Sequence, residues 1–276
     1  MADGALGILA GGGPLPRRIA ERVIEEGRRV FVIAFEGQTD PATVDGIDHA
    51  WMKLGATSDT LGHLHAANCT QVVMAGPMRR PSLSSLGLDR RSTIILAKAG
   101  ARVFGDDGLL SVIVEEMERD GFSVLGVEDI LGGYLVPDGL MIGGPADAAA
   151  HADIARGIAV LRALGAEDVG QAVAVQEGLV LAVEAIEGTD AMIARAGVLR
   201  REGLGPILIK GTKPEQEGRA DRPTVGPDTI HAAVKAGFRG VVLEAEATLI
   251  VDRAETEAAA RAAGVFILAC VFGAPA

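Results

Sequence analysis

Short unbroken apolar runs alternate along this chain with stretches whose apolar residues return every third or fourth position. That alternation predicts strands interleaved with helices. Leu6 to Ala10 reads as a strand, and Gly11-Gly12-Gly13-Pro14-Leu15-Pro16 follows it. A helix is expected from Arg17 to Glu26, with Ile19, Val23 and Ile24 on its apolar side and Gly27 ending it. Arg29 to Phe35 is the next strand, Ala50 to Gly55 a short third one, Ser58 to Ala67 a helix and Cys69 to Gly76 a strand. Helices are expected from Thr93 to Ala101 and from the Gly105-Asp106-Asp107-Gly108 turn to about Asp120, then a strand at Ser123 to Val127. Strand, glycine turn, helix, strand is the pattern of a right-handed parallel crossover.

The periodicity lapses between Asp129 and Pro145, a stretch rich in Gly, Leu and Pro, and a domain connection is expected there. The second half begins with a helix from Ala146 to Leu164, striped by Ile154, Ile158, Val160 and Leu161. Two strands around a tight Glu177-Gly178 turn come next, then a helix from Ala191 to Ala196 and a strand over Gly205 to Ile209. A helix over Ile230 to Gly237, another over Asp252 to Ala263 and a last strand over Gly264 to Phe272 complete the pattern. The fold class expected is α/β, with an N-terminal Rossmann-like parallel-sheet domain and a distinct C-terminal α/β domain. The expected bounds are 1–130 and 146–276, joined by a linker over 131–145.

Composition narrows the function. Hydrophobic residues make up 49% of the chain but aromatic ones only 3%, so Ala, Val, Leu and Ile must fill the core. A net charge of −11 speaks against general nucleic-acid binding, which needs a basic surface. No apolar run has the length of a membrane span, and the N-terminus lacks the pattern of a signal peptide. A soluble, cytoplasmic protein is expected. Cys69 and Cys270 sit in apolar surroundings and read as buried free thiols rather than a disulfide or metal pair. His63 and His65, two positions apart, point to different faces of their helix and make a poor metal pair.

Three stretches carry candidate chemistry. The glycines at 11–13 leave backbone N–H groups free to approach a phosphate at a helix N-terminus, or simply make a tight turn. Glu36, just past the second strand, stands where a ribose-binding acid would. Glu184, Glu187, Thr189 and Asp190 crowd a strand-to-helix junction, where hard oxygen ligands suit Mg²⁺ or merely cap a helix. Between Lys210 and Thr229 lies a loop of roughly eighteen residues, a length that is usually functional or disordered. It holds Lys213, Arg219, Asp221 and Arg222 and is stiffened by Pro214, Pro223 and Pro227.

Taken together these motifs resemble the I-type UDP-2,3-diacylglucosamine pyrophosphatases of lipid A biosynthesis. The matching stretches are Ile8 to Pro16, Arg80 to Leu83, Gly105 to Leu110, Asp168 to Gln171, Val183 to Met192, and Lys213-Pro214 with Asp221 to Pro227. The chain departs from that pattern at Glu217, where an aspartate is usual, and at Ala220, where a phenylalanine is usual. The resemblance implies a Mg²⁺-dependent cytoplasmic hydrolase working at the inner face of the inner membrane. Its substrate would be UDP-2,3-diacylglucosamine and its products UMP and 2,3-diacylglucosamine 1-phosphate (lipid X). No nucleic acid is implied, membrane contact would be transient, and a homodimer is left open.

Pyrophosphate cleavage needs charge neutralisation and an oriented water. Asp221, Lys213 and Asp190 are therefore the expected catalytic residues. Lys213 would stabilise phosphate charge, and Asp221 would bind metal or take the proton of the attacking water. Asp221, Glu187 and Asp190 are the expected metal ligands. Gly11, Gly12, Gly13, Leu15, Pro16, Arg80, Asp106, Gln171 and Thr189 are expected to contact the substrate. Two alternatives stand beside this reading. One is a nucleotide-dependent oxidoreductase, suggested by the glycine turn; the other is a non-catalytic carrier of a lipid or nucleotide-sugar.

Overall fold

The computed structural model describes residues 4–78, 86–99, 106–214 and 217–273. The chain forms two compact units. The first holds residues 1–132 together with 217–221, and the second holds 133–216 and 222–276.

In the first unit, the strands β1 (Ala5–Ala10), β2 (Val30–Phe35), β3 (His49–Met52), β4 (Cys69–Ala75) and β5 (Ser123–Leu125) build a parallel sheet in the order β3-β2-β1-β4-β5. Strand β1 is central and buried at every position, which is why its sequence is a continuous apolar run. Helix α1 (Leu15–Glu25) lays Ile19 and Val23 inward, while Ile24 faces out at 48% exposure. Helix α2 (Thr57–Ala66) adds Leu61 and Leu64 to a core shared with Val114 and Met117 of α4 (Asp106–Arg119). Helix α3 (Arg90–Ala99) packs against α2 and α4, and a short α5 (Val127–Ile130) packs against α1. The order of the strands places a change of winding direction between β1 and β4. Loops at such a point form a crevice at the carboxyl ends of the strands.

The second unit contains α6 (Ala148–Ala166), β7 (Ala172–Gln176), β8 (Leu179–Val183), α7 (Thr189–Leu199), β9 (Ile207–Lys210), α8 (Pro227–Lys235), β11 (Gly240–Glu244), α9 (Arg253–Ala263) and β13 (Phe266–Cys270). With β6 (Met141–Ile142) these strands form a mixed sheet in the order β6-β13-β11-β9-β7-β8. Strands β9, β11 and β13 run parallel, while β7 and β6 are antiparallel to their neighbours. One core gathers Met192 and Ile193 of α7, Ile230 of α8 and Ala260 of α9. The other face is covered by α6, through Ile154 and Leu161 with Ile158 and Val160 at its margin. A small parallel pair, β10 (Thr224–Val225) and β12 (Leu249–Ile250), stands apart from the main sheet.

The stretch expected as a linker carries structure of its own. Met141 and Ile142 add the edge strand to β13, Val136 N–H bonds Thr248 O at 3.0 Å, and Leu135 bridges Leu249. Without helical or alternating periodicity these residues gave no signal. They are held by backbone hydrogen bonds, which any side chain permits. Nor does the sequence show that residues 217–221, which lie inside the sequence of the second unit, belong to the first.

One carboxylate in the first unit caps two helices. Asp89 accepts from Ser92 N–H at 2.7 Å and from Ser58 N–H at 2.6 Å, the opening turns of α3 and α2. Burial pushes its carboxyl up, but these N–H groups and the Ser92 hydroxyl win and hold it at about 2. Asp89→Ala should cost about 1–2 kcal/mol, the size of a helix-cap loss. A carboxyl held low contributes fully above its usual value and loses that contribution as pH falls toward about 2. The gap in denaturant stability between wild type and Asp89→Ala should therefore be constant above about pH 5 and shrink below about pH 4. A gap that persists unchanged down to pH 2 would contradict the double cap.

Candidate functional site

The glycine turn of the first unit does not offer the free N–H groups expected of it. Gly11 N–H bonds Ala75 O at 2.8 Å, Gly12 N–H bonds Pro77 O at 2.9 Å and Gly13 N–H bonds Asp40 Oδ2 at 3.1 Å. A Cβ at Gly11 would run into the backbone of Gly76 and Pro77. The glycines therefore let the loop after β1 press against the loop after β4, which is the structural turn rather than the phosphate cradle. Leu15 is half-buried and Pro16 buried at the start of α1. Arg80 lies outside the described residues; Asp106 opens α4, and its side chain lies outside them as well.

The short segment 217–221 presents Asp221 within the first unit. Arg219 grips Glu217 through Nε at 2.9 Å and reaches Glu118 Oε1 of α4 at 2.6 Å. Asp221 N–H and Ala220 N–H both close on Glu217 O at 2.9 Å. Ala220 packs against the core of α2 and α4. The Arg219 guanidinium holds the Glu217 carboxyl below its usual range. Glu217 is thus committed to an ion pair that shapes the turn carrying Asp221.

A dense polar cluster belongs to the second unit, at the edge where β8, β9, β11 and β13 end and β7 begins. The pairing of Ala172 with Lys210 and of Leu243 with Lys210 sets that edge. Lys210 is 5% exposed, Lys213 8% and Glu184 7%. Burying an ammonium or a carboxylate costs on the order of several kcal/mol unless it is hydrogen-bonded or ion-paired, and each of these is. Lys210 Nζ donates to Thr189 Oγ1 at 2.8 Å, and Thr189 Oγ1 donates to Glu184 Oε1 at 2.7 Å. Glu184 Oε2 accepts Gln171 N–H at 3.3 Å. Lys213 is ion-paired with Asp168. Glu244 takes both Thr212 N–H at 2.7 Å and Thr212 Oγ1 at 2.6 Å, and Gly211 N–H bonds Gln171 O. The start of the long loop is thereby fixed at several points. Such an edge, with Lys210 and Lys213 beside the carboxylates of Glu184, Asp168 and Glu244, suits a ligand bearing both anionic charge and hydrogen-bond donors.

Of the sequence-predicted residues, Gln171, Thr189 and Lys213 meet at this edge. Asp190 is exposed in the first turn of α7. Glu187 is ion-paired with Arg195; its own backbone N–H and that guanidinium hold its carboxyl below the usual range. Asp221 belongs to the first unit, Glu187 and Asp190 to the second. Among the described residues no group of three or more His, Cys, Asp and Glu side chains is gathered to hold a metal ion. Within either unit the expected ligands do not assemble a magnesium shell. Cys69 and Cys270 are free thiols, the first buried and the second half-buried. Burial, then Asp138 and Glu244, pushes the Cys270 thiol up.

Models of two protein domains cover the chain: the LpxI N-terminal domain matches residues 5–134 and the LpxI C-terminal domain residues 137–268. A UDP-2,3-diacylglucosamine pyrophosphatase, LpxI of Caulobacter vibrioides, is 40% identical over 272 residues, covering 95% of this chain and 96% of its own length. The chain belongs to the LpxI family. An N5-carboxyaminoimidazole ribonucleotide synthetase solved with ADP covers 62% of the chain and 37% of its own at 13% identity and a TM-score of 0.26. That likeness is too slight to bear on the fold.

Within this LpxI-family chain, the residues that sequence reasoning passed over are Lys210, Thr212, Glu244 and Asp168. A signal was present: Ile207-Leu208-Ile209-Lys210 and Val241-Val242-Leu243-Glu244 each end a buried apolar strand on a charge. Gly170 carries the packing of the edge, because a Cβ there would overlap the Glu184 carbonyl. Gly170→Ala should destabilise the protein by about 1–3 kcal/mol, the usual cost of forced overpacking. A melting temperature equal to that of wild type would show that Glu184 is not held against this loop.

Proposed function

We propose that this chain hydrolyses the pyrophosphate of UDP-2,3-diacylglucosamine to UMP and 2,3-diacylglucosamine 1-phosphate. The observation that carries the reading is its 40% identity with the Caulobacter LpxI across nearly the whole of both chains. In such a reaction the oxygen of water bonds to phosphorus, the bond from that phosphorus to the bridging oxygen breaks, and the proton of the water passes to a base. Negative charge grows on the phosphoryl and bridging oxygens, so fixed cations speed the step. The buried Lys210 and Lys213 support that chemistry. Lys213 would exchange its Asp168 partner for a phosphoryl oxygen, two anions competing for one ammonium.

Asp221 is the proposed base. Its backbone is held by Glu217 O, and the Arg219 to Glu217 and Glu118 bridges stiffen the turn around it. A Mg²⁺ requirement belongs to the same reading on the strength of the sequence motifs. Contact with a membrane surface is proposed because the substrate carries two acyl chains; no helix among the described residues is long and apolar enough to cross a membrane. The oxidoreductase alternative was suggested by the strand, glycine turn and helix at the N-terminus, and the N–H groups of that turn's glycines bond within the protein.

Incubation with UDP-2,3-diacylglucosamine and analysis for UMP tests the activity, and absence of UMP at any metal concentration would end the reading. Asp221→Ala should lower kcat by about a hundredfold or more, the range of a general-base or electrostatic contribution. Substrate binding should survive, because the acyl chains and uridine supply most of it. Turnover near that of wild type, with an unchanged melting temperature, would remove Asp221 from the reaction. Excess EDTA should abolish UMP release and added Mg²⁺ restore it; full activity in metal-stripped protein would refute the metal requirement alone.

A further inference from the structure

We infer that Lys210 and Glu184 fix the polarity of the Thr189 hydroxyl, so that Thr189 meets a hydrogen-bond donor on the substrate and not a phosphoryl oxygen. The inference deepens the proposed hydrolysis and rests on it. A lysine ammonium can only donate. Its Nζ stands 2.8 Å from Thr189 Oγ1 and takes one lone pair of that oxygen. Glu184 accepts through both oxygens, Oε1 from the Thr189 hydroxyl at 2.7 Å and Oε2 from Gln171 N–H at 3.3 Å. The single proton of the hydroxyl is therefore committed to Glu184. One lone pair is left, and Thr189 is half-buried at the start of α7.

A lone pair repels a phosphoryl oxygen and attracts an O–H or N–H. The proposed substrate carries such donors on its sugar hydroxyls, its acylated amine and its uracil ring. The pyrophosphate, which has none, falls to the lysines. Thr189 is thus a specificity contact, and Lys210 and Glu184 are positioning residues that act through it. Their burial matters here: Lys210 and Glu184 are themselves almost closed to water, which strengthens the two hydrogen bonds that orient the hydroxyl.

Glu184→Gln reverses the polarity with almost no change of shape. Gln171 N–H keeps the amide oxygen on its own side, so the amide NH₂ faces Thr189 and donates to it. The Thr189 proton is then turned toward the substrate, where a donor meets a donor. KM for UDP-2,3-diacylglucosamine should rise about tenfold in Glu184→Gln and in Thr189→Val, the worth of one hydrogen bond, with kcat held within about threefold. Thr189→Ser, which restores the hydroxyl, should recover most of what Thr189→Val loses. A purely structural role for Glu184 would lower the melting temperature and leave KM unmoved, and that result would overturn the inference. So would a Thr189→Val enzyme that loses kcat at constant KM, because Thr189 would then serve the phosphoryl group in the transition state. If Glu184→Gln does not fold, the Thr189→Val and Thr189→Ser pair decides by the same criteria. Wild-type protein without turnover would instead fell the hydrolase reading, and the inference with it.

Discussion

Charge that must be paired once it is buried organises the second unit. Strands β8, β9 and β11 end close to or on a charged residue, and at that edge Glu184, Lys210 and Lys213 are almost closed to solvent. An unpaired ion there would cost on the order of several kcal/mol. The surrounding elements are arranged to prevent it. Helix α7 begins where Thr189 can stand between Lys210 and Glu184, the turn before β7 brings Gln171 N–H to Glu184, and the end of α6 brings Asp168 to Lys213. The polar edge and the fold of this unit therefore require one another.

The first unit uses its loops differently. Its strand order puts the loops after β1 and β4 at a point where open α/β sheets commonly bind ligands. Here the two loops bond to each other, and the Asp40 carboxylate takes the N–H of Gly13. Glycine is needed at position 11 because two backbones meet there. The ion pairs of Arg219 hold a turn drawn from elsewhere in the sequence, and they give Glu217 and Ala220 structural work in this chain.

The strands and long helices were legible because their apolar residues recur with the period of the element: the buried run of β1, the Ile19 and Val23 stripe of α1, and the Glu177-Gly178 turn between β7 and β8. The edge strand β6 and the membership of segment 217–221 in the first unit were not legible, since backbone hydrogen bonds and a distant ion pair leave no periodic trace. At the site, Thr189, Gln171 and Lys213 stood out through the family resemblance. Lys210 and Glu244 did not, although a charge that closes an apolar strand is itself a sign of a functional edge. The metal ligands were expected from carboxylates crowded at a strand-to-helix junction and from the family resemblance. Neither shows whether a carboxylate also has a partner within the chain, as Glu187 has in Arg195.

The central claim is that the edge formed by Gln171, Glu184, Thr189 and Lys210 to Lys213 receives the substrate. Hydrogen exchange of the Asp221→Ala protein, with and without UDP-2,3-diacylglucosamine, tests it most directly because the ligand is then bound but not consumed. The account predicts added protection in the peptides that cover 168–171, 184–190 and 210–213. Bound substrate with unchanged exchange in all three segments would contradict it.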